Sequence, residues 1–136
     1  TDKPNTKANT ITISEGGNSC GYVALQTSDF WCGGHCYALN NPKLPLIFLY
    51  QLLKFNEKKI MTLRVGSGLP NIQKKDLESL QLTYPADLAE QMKIGAVLSS
   101  ADEHIKSIEK KLDLLKEEKK SLMQQLLTGK RRVRIN

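Results

Sequence analysis

The chain has 136 residues, 40% of them hydrophobic and 25% charged, and its formal net charge at pH 7 is +6. This composition is typical of soluble globular proteins, and no apolar run approaches the roughly 20 residues that span a bilayer, which excludes disordered and membrane-embedded classes. Three cysteines, an odd number in a sequence without a secretory leader, predict a reducing, cytoplasmic location rather than a disulfide framework.

Positive charge is concentrated in the front part of the chain and in its tail. Residues 1–85 hold nine basic against six acidic side chains, residues 86–129 hold seven against eight, and residues 130–136 add four basic ones. This pattern is compatible with contact to nucleic acid phosphates or to an acidic partner, although a mild excess and a solvated tail explain it equally well. Because the first residue is not methionine, we expect a piece of a longer polypeptide.

Short segments of alternating apolar and polar residues, separated by turn-forming residues, predict a strand-rich front part. We predict strands over 11–13, 21–25 and 36–39, a mostly buried helix over 45–55, a strand over 60–65, a short helix over 74–80 and a last strand over 81–84. The predicted fold class is α+β, with a small mixed domain over 1–85 followed by a long helix and basic tail over 86–136. The domain is small for an independent core, so we expect it to be shortened at its N-terminus.

One long helix is predicted over 87–128. Pro85 ends the preceding structure, Asp87 can cap the helix, and Glu90 follows three residues later as in a capping box. Gly129 can adopt the left-handed conformation that ends helices. At 1.5 Å per residue the helix is about 60 Å long, which is longer than a small domain is wide.

Apolar residues recur along this helix at alternating spacings of three and four, as in a helix that packs against another helix. We call these positions, with the one lysine that interrupts them, the seam: Leu98, Ala101, Ile105, Ile108, Leu112, Leu115, Lys119, Leu122 and Leu126. A chain of this size cannot cover so long a stripe, so the sequence predicts a coiled coil with a partner helix. A charge within the seam costs stability but fixes register and orientation, and Lys119 is placed for that role.

Charges beside the seam favour an antiparallel pair. In a parallel self-pair, Lys111 of one copy faces Lys116 of the other, which is repulsive. In an antiparallel self-pair, Glu109 meets Lys116. Lys111 then meets Glu118, and the pair is centred near Asp113. Each exposed pair contributes only about 0.3–0.5 kcal/mol, so these charges select an orientation rather than create the pair.

Metal and catalytic sites are disfavoured in the front part. A zinc site built on Cys20, Cys32, His35 and Cys36 is unfavourable, because adjacent residues rarely bind one tetrahedral ion and no C-x-x-C pair is present. A cysteine–histidine nucleophile is less favoured still, since no orienting acid has a readable position. We therefore expect no cofactor, no metal and no enzymatic activity, and a small zinc-dependent enzyme is the least favoured hypothesis.

Two glycine-bearing loops, over 15–18 and 66–68, could bring backbone amides to a phosphate. Neither matches a P-loop, because the required lysine is absent, so connecting turns are the default interpretation. Trp31 is interpreted as a packing residue in preference to a base-stacking one.

Several separated motifs occur in one order along the later part of the chain. They are GSGLPNI at 66–72, KDL at 75–77, Pro85, EQMKI at 90–94, then Leu98, Asp102 and Ile105, and finally LMQQLLTGK at 122–130. Over roughly residues 60–134 this series closely resembles the specificity (S) subunit of type I restriction–modification systems, at the end of a target recognition domain and in the long helix that follows. Residues 10–55 fit more loosely, through SEGG at 14–17, GYV at 21–23 and Phe30-Trp31, as expected of domains that vary with their targets.

The resemblance implies a non-catalytic subunit with two recognition domains, each of which reads one half of a split DNA target. Two long antiparallel helices separate these domains, set the target spacing and carry the modification (methyltransferase) subunits, which the restriction subunits join. The expected partners are therefore double-stranded DNA, modification subunits and through them restriction subunits, and a second long helix from another copy or from the other half of the subunit. This chain departs from the full pattern, since it has one recognition domain and one helix.

Loop residues of the front domain are the candidates for DNA contact. The predicted base-reading residues are Asn18, His35, Arg64 and Ser67, and the predicted phosphate contacts are Lys74 and Lys75. The alternative function is an assembly module that dimerises or caps modification subunits without reading DNA on its own.

Overall fold

The computed structural model describes residues 3–134; the first two residues of the predicted front domain and the last two of the predicted tail lie outside this range. In chain order the elements are β1 (Thr10–Ser14), β2 (Val23–Gln26), β3 (Cys36–Leu39), α1 (Leu46–Phe55), α2 (Glu57–Met61), α3 (Lys74–Glu78) and α4 (Leu88–Leu127). The predicted α+β class is confirmed. The long helix is confirmed as well, and each of its ends lies within one residue of the predicted one.

β1 is the central strand of an antiparallel sheet whose order is β2-β1-β3. Ile13 pairs with Val23 on one side and with Tyr37 on the other. The buried core comprises Ile11, Ile13, Cys20, Val23, Leu53, Ile60 and Ile72. Because Cys20 and Ile72 lie outside the strands and helices, the core anchors the loops that carry them as well as the sheet.

The predicted strand over 60–65 is wrong. Ile60 belongs to α2 and is fully buried, and Val65 makes only an isolated bridge with Asn71. The β-branched residues that favoured a strand are divided between one core-facing helical position and the turn that follows it. The prediction failed because it rested on residue type alone, and an isoleucine can be buried in a helix as well as in a sheet.

The predicted strand over 81–84 is also absent. The Gln81 carbonyl accepts a hydrogen bond from Lys59 Nζ at 2.7 Å, and the Tyr84 ring meets the Phe48 ring edge-on with centroids 6.3 Å apart. These contacts connect the segment to side chains of α1 and α2, so it follows the helices instead of pairing with a strand.

An ion pair closes the outer edge of β2. Glu57 Oε2 accepts the Val23 N–H at 2.9 Å, and Lys54 Nζ donates to the Val23 carbonyl at 3.0 Å. Lys54 and Glu57 meet at 2.6 Å, and Lys54 Nζ lies 4.1 Å from the centroid of the Tyr22 ring. Burial alone would raise the pKa of Glu57, but the hydrogen bonds from Lys54 and the Val23 amide outweigh it and lower the pKa below its ordinary value. We call Lys54 and Glu57 the edge clamp.

Helix α4 begins and ends with interactions that the sequence predicts. Asp87 Oδ1 accepts the Glu90 N–H at 2.7 Å, which caps the first turn. After the last turn, Gly129 has a φ of +71°, and the Arg131 N–H returns to the Gln125 carbonyl at 2.9 Å. This left-handed glycine stops the helix at the predicted position.

The chain divides into two compact units, of which the first ends at Leu98 and the second begins at Ser99. The first unit holds the sheet, α1–α3 and the first turns of α4. In this unit a Cβ built on Gly95 of α4 would stand 3.1 Å from the Phe48 amide nitrogen, so any side chain at Gly95 forces α1 and α4 to shift. Among the helices of residues 3–134, none combines the length and hydrophobicity that a membrane span requires.

Candidate nucleic-acid interface

Three loop segments lie side by side at one end of the sheet, where β1 ends and β3 begins. The Gly17 N–H donates to the Pro70 carbonyl at 2.9 Å, and the Glu15 N–H donates to the His35 carbonyl at 2.9 Å. We call this surface the loop cluster; it comprises residues 15–18, 33–35 and 66–71. Backbone hydrogen bonds thus join the two glycine-bearing loops to each other and to the segment that carries the histidine.

Both glycine-bearing loops make turns that need glycine. Gly17 and Gly66 have φ angles of +72° and +98°, in the region that side chains disfavour. A Cβ on Gly66 would also meet the Leu69 carbonyl oxygen at 3.4 Å. The glycines are therefore explained by the turns themselves, as the default interpretation of the sequence holds.

Tyr37 and Glu15 fix the loop cluster from within the domain. The Tyr37 hydroxyl lies 3.0 Å from Glu15 Oε1 and 2.8 Å from the Ile72 carbonyl oxygen, so it links the two loops through one donor. Burial first, and the Glu15 carboxylate second, raise the pKa of Tyr37, which keeps this donor protonated. Glu15 Oε2 lies 4.0 Å from His35 Nδ1, so the imidazole ring stands beside a carboxylate inside the cluster.

Most of the predicted DNA-contact residues lie in or next to this cluster. Asn18, His35 and Ser67 belong to it, and all three are exposed. Lys74 and Lys75 are exposed in the first turn of α3, which begins shortly after the second glycine-bearing loop. The polar loop side chains are therefore exposed together, and the two lysines follow the second glycine-bearing loop closely in the chain.

Arg64 is placed differently. Its Nε donates to the Cys20 carbonyl at 2.8 Å, its Nη2 contacts the same oxygen, and the side chain is partly buried. Cys20 precedes Gly21, whose φ is +83°. The guanidinium therefore stabilises the backbone that leads from the first glycine-bearing loop into β2.

Two residues of the loop cluster escape sequence reasoning. The Asn71 N–H and carbonyl both bond to Val65, at 3.0 and 2.8 Å, which closes the second glycine-bearing loop. Leu69 leaves 80% of its surface exposed in that loop. A leucine or asparagine in a glycine- and proline-rich stretch gives no signal beyond a turn, so neither role could be read from the sequence.

The cysteines and Trp31 contribute no recognisable chemistry. Within residues 3–134 no group of three or more His, Cys, Asp or Glu side chains is arranged to hold a metal. Burial first, and contact with Cys32 second, raise the pKa of Cys36 to about 11, so this thiol is a poor nucleophile at neutral pH. Trp31, interpreted as a packing residue in preference to a base-stacking one, lies in an irregular loop and exposes 59% of its surface, so it does not belong to the core.

The seam is exposed along α4. Its large apolar side chains leave between 39% and 67% of their surface accessible, and Ala101 and Lys119 are exposed too. In the second unit, Leu115, Leu122 and Leu126 line a shallow apolar groove of about 450 Å³ beside Lys119. Soluble proteins rarely leave so long an apolar stripe uncovered, so this surface fits a docking role.

Comparison with known proteins identifies the family whose members this chain resembles. A family model described as the type I restriction modification DNA specificity domain matches residues 1–117. A putative type I specificity subunit from Mycoplasma genitalium is 39% identical over 111 residues, which are 79% of this chain and 29% of that protein. A type I restriction enzyme specificity subunit from Methanocaldococcus jannaschii is 33% identical over 82 residues, or 60% of this chain and 19% of that protein.

A solved structure agrees with the sequence comparisons. The crystal structure of the type I restriction–modification S subunit from M. genitalium superposes with a TM-score of 0.74 at 31% identity, over 92% of this chain and 34% of that one. The matched part of this chain therefore spans between 19% and 34% of the length of these relatives.

Proposed function

The chain belongs to the type I restriction–modification DNA specificity family, and on that premise we propose that it reads one half of a bipartite DNA target. In this proposal residues 1–85 form the target recognition domain, and residues 86–136 form the spacer helix with its basic tail. The helix pairs antiparallel with a second long helix and docks modification subunits, through which restriction subunits join. The chain itself supplies recognition and no catalysis.

The loop cluster is the observation that carries the DNA-reading part of the proposal. Base readout needs exposed side chains with donors and acceptors on a rigid support, and backbone hydrogen bonds supply that support here. Asn18, His35 and Ser67 offer donors and acceptors to base edges. Lys74 and Lys75 offer charge to phosphates, which fixes position without reading sequence.

Arg64 has a supporting part in this proposal. Because its guanidinium bonds to the Cys20 carbonyl, we propose that it acts on the first glycine-bearing loop and does not touch DNA. Its replacement would then loosen the loop cluster and lower affinity for every target sequence together with the stability of the domain.

The exposed seam supports the pairing part of the proposal. Two seams laid antiparallel bury their leucines and isoleucines, and the flanking charges Glu109 and Lys116 then attract across the pair. Leu114 and Leu127 lie off the seam and are exposed, so they are candidates for contact with a modification subunit or another protein surface.

A DNA-binding assay on the full chain tests the proposal. The mass in solution is measured first, and binding to a pool of randomised duplexes is then followed with and without the modification subunit. Lys75→Ala should weaken binding to all sequences and reduce the salt slope by about 1, whereas Lys106→Ala, a matched change of an exposed helix lysine, should not. His35→Ala should alter the preferred sequence.

The outcomes separate the two candidate functions. Sequence-selective binding in either form supports DNA reading. Pairing without any sequence preference, alone and with the modification subunit, would reject DNA reading and leave the assembly module as the function.

A further inference from the structure

The first unit carries an apolar groove at the point where the seam begins. The groove has a volume of about 470 Å³ and lies between α1 and the segment that leads into α4. Its apolar lining includes Phe48, Leu52, Phe55, Tyr84, Ile94 and Leu98. Phe55 leaves 88% of its surface exposed and Leu98 leaves 42%, which is a large apolar area for the surface of a small domain.

At this groove, helix α4 stops packing against other residues of its own chain. Gln91 is buried and its Nε2 donates to the Pro85 carbonyl at 2.7 Å, and Gly95 is buried against Phe48. Leu98, the first seam residue, is the next position on this face and is exposed. The face of α4 that the chain covers itself therefore ends at the groove, and the uncovered seam starts there.

The antiparallel register predicts which part of a second copy reaches the groove. Attraction between Glu109 and Lys116 across the pair places Leu112 of one copy beside Leu115 of the other, at the middle of the seam. Counting outward by fourteen residues on each helix, Leu98 then lies opposite Gly129 of the second copy. The helix of the second copy thus ends where the groove of the first begins.

We propose that this groove receives the C-terminal end of α4 from a second copy of the chain, with Leu127 and then Val133 seated against Phe55. The inference rests on the antiparallel pairing proposed above and adds a contact between the helix end and the recognition domain. Two features of the chain select this occupant: the register, and the stop at Gly129, which matches the start of the groove. Leu127 and Val133 are 79% and 71% exposed, so both side chains have apolar surface that this contact would bury.

Charge complementarity favours the same occupant. The tail that follows Gly129 carries Lys130, Arg131, Arg132 and Arg134. Beyond Leu98, in the direction in which that tail would continue, Asp87 at the cap and Glu90 in the first turn of α4 are exposed, with the single cation Lys93 between them and Leu98. A basic segment that leaves the groove would therefore run toward two carboxylates.

Photo-crosslinking on the full chain tests the contact. Phe55 is replaced by the photoreactive residue p-benzoylphenylalanine, which keeps an aromatic ring at an exposed position, and Trp31 is replaced in the same way as a control. Mixed isotope-labelled and unlabelled protein identifies crosslinks between copies by mass spectrometry. We expect the probe at Phe55 to crosslink to residues 126–133 of the second copy, and the probe at Trp31 not to do so.

A second measurement uses a residue off the seam. A coiled coil alone predicts no effect of Val133→Asp on pairing, because Val133 lies beyond the end of α4, whereas a seated helix end predicts that the dimer dissociation constant rises about tenfold or more. Leu114→Asp, which also introduces an aspartate at an exposed apolar position off the seam, should leave the dissociation constant within about twofold.

The possible results are distinguishable. A dimer whose Phe55 probe reacts elsewhere, or whose affinity is unchanged by Val133→Asp, overturns the groove contact and leaves antiparallel pairing intact. A chain that is monomeric at high concentration overturns both. Crosslinks to residues 126–133 together with weakened pairing of Val133→Asp support the contact.

Discussion

Reversing one charge beside the seam gives opposite results for the two possible helix orientations. Lys116→Glu in an antiparallel pair converts the Glu109–Lys116 attraction into a repulsion, and twofold symmetry makes this happen twice. With about 0.3–0.5 kcal/mol for each exposed pair, gained or lost, the total is about 1.5 kcal/mol, or roughly a tenfold weaker dimer. In a parallel pair, the Lys111–Lys116 repulsion becomes an attraction instead, and the dimer tightens by a similar factor.

The assay is sedimentation equilibrium of the full chain at low and at high salt. Lys120→Glu changes the net charge equally at an exposed position away from the seam, so it is the control for bulk electrostatics. The double variant Glu109→Lys/Lys116→Glu restores the antiparallel attraction and should recover most of the lost affinity. High salt should reduce all these differences in dimer affinity, because it screens exposed charges.

Lys116 also forms an ion pair with Asp113 of its own helix at 3.1 Å. That pair is lost in the free and the paired chain alike, so it does not change the expected sign. Tighter association of Lys116→Glu, or a double variant as weak as the single one, would refute the antiparallel argument.

Three further predictions concern the recognition domain. Glu57→Gln removes the anion that holds Lys54 and the Val23 amide and should lower the free energy of unfolding by about 1–3 kcal/mol at neutral pH, as measured by urea denaturation. The pKa of Glu57 is lowered in the folded chain, so its contribution to stability is complete above the ordinary pKa of 4.5 and is lost as the pH falls through the folded pKa. The free energies of unfolding of the parent and the variant should therefore converge in acid, and a constant difference would contradict this. Gly21→Ala places a Cβ 2.9 Å from Met61 Cγ at a φ of +83° and should cost about 1–3 kcal/mol or more, whereas Gly33→Ala, which meets no atom within 4 Å, should be close to neutral; equal thermal stabilities would count against the strain. Cys36, with its pKa raised to about 11 from 9.0, should react with iodoacetamide at pH 8 about 100-fold more slowly than a thiol with the ordinary pKa, which peptide mass spectrometry measures, and reaction at the ordinary rate would refute the burial argument.

Sequence reasoning succeeded where a local rule decides the structure. Asp87 and Gly129 bound the long helix because capping depends on residues a few positions apart. The seam followed from spacing alone, and its exposure agrees with the expectation of a partner helix. The loop surface was partly predictable, because turn residues locate loops even when the fold is unknown.

The failures share a different cause, since each depends on contacts between distant segments. The environment of Arg64 is set by Cys20, which lies far away in the chain, so the hydrogen bond between them could not be read from the sequence. Residues 60–65 looked like a strand because Ile60 is β-branched, yet α2 places it in the core. The exposure of Leu69 could not be predicted, because the residue type does not determine whether a loop side chain is exposed.

The edge clamp has a consequence for the association of sheets. A strand from another molecule can add to a sheet only where backbone N–H and carbonyl groups are available, and such additions begin many forms of aggregation. At β2 both groups of Val23 are already bonded to Glu57 and Lys54, so an incoming strand must first break a partly buried ion pair. The two side chains that stabilise the domain therefore also oppose amyloid-like addition of strands at the outer edge of β2.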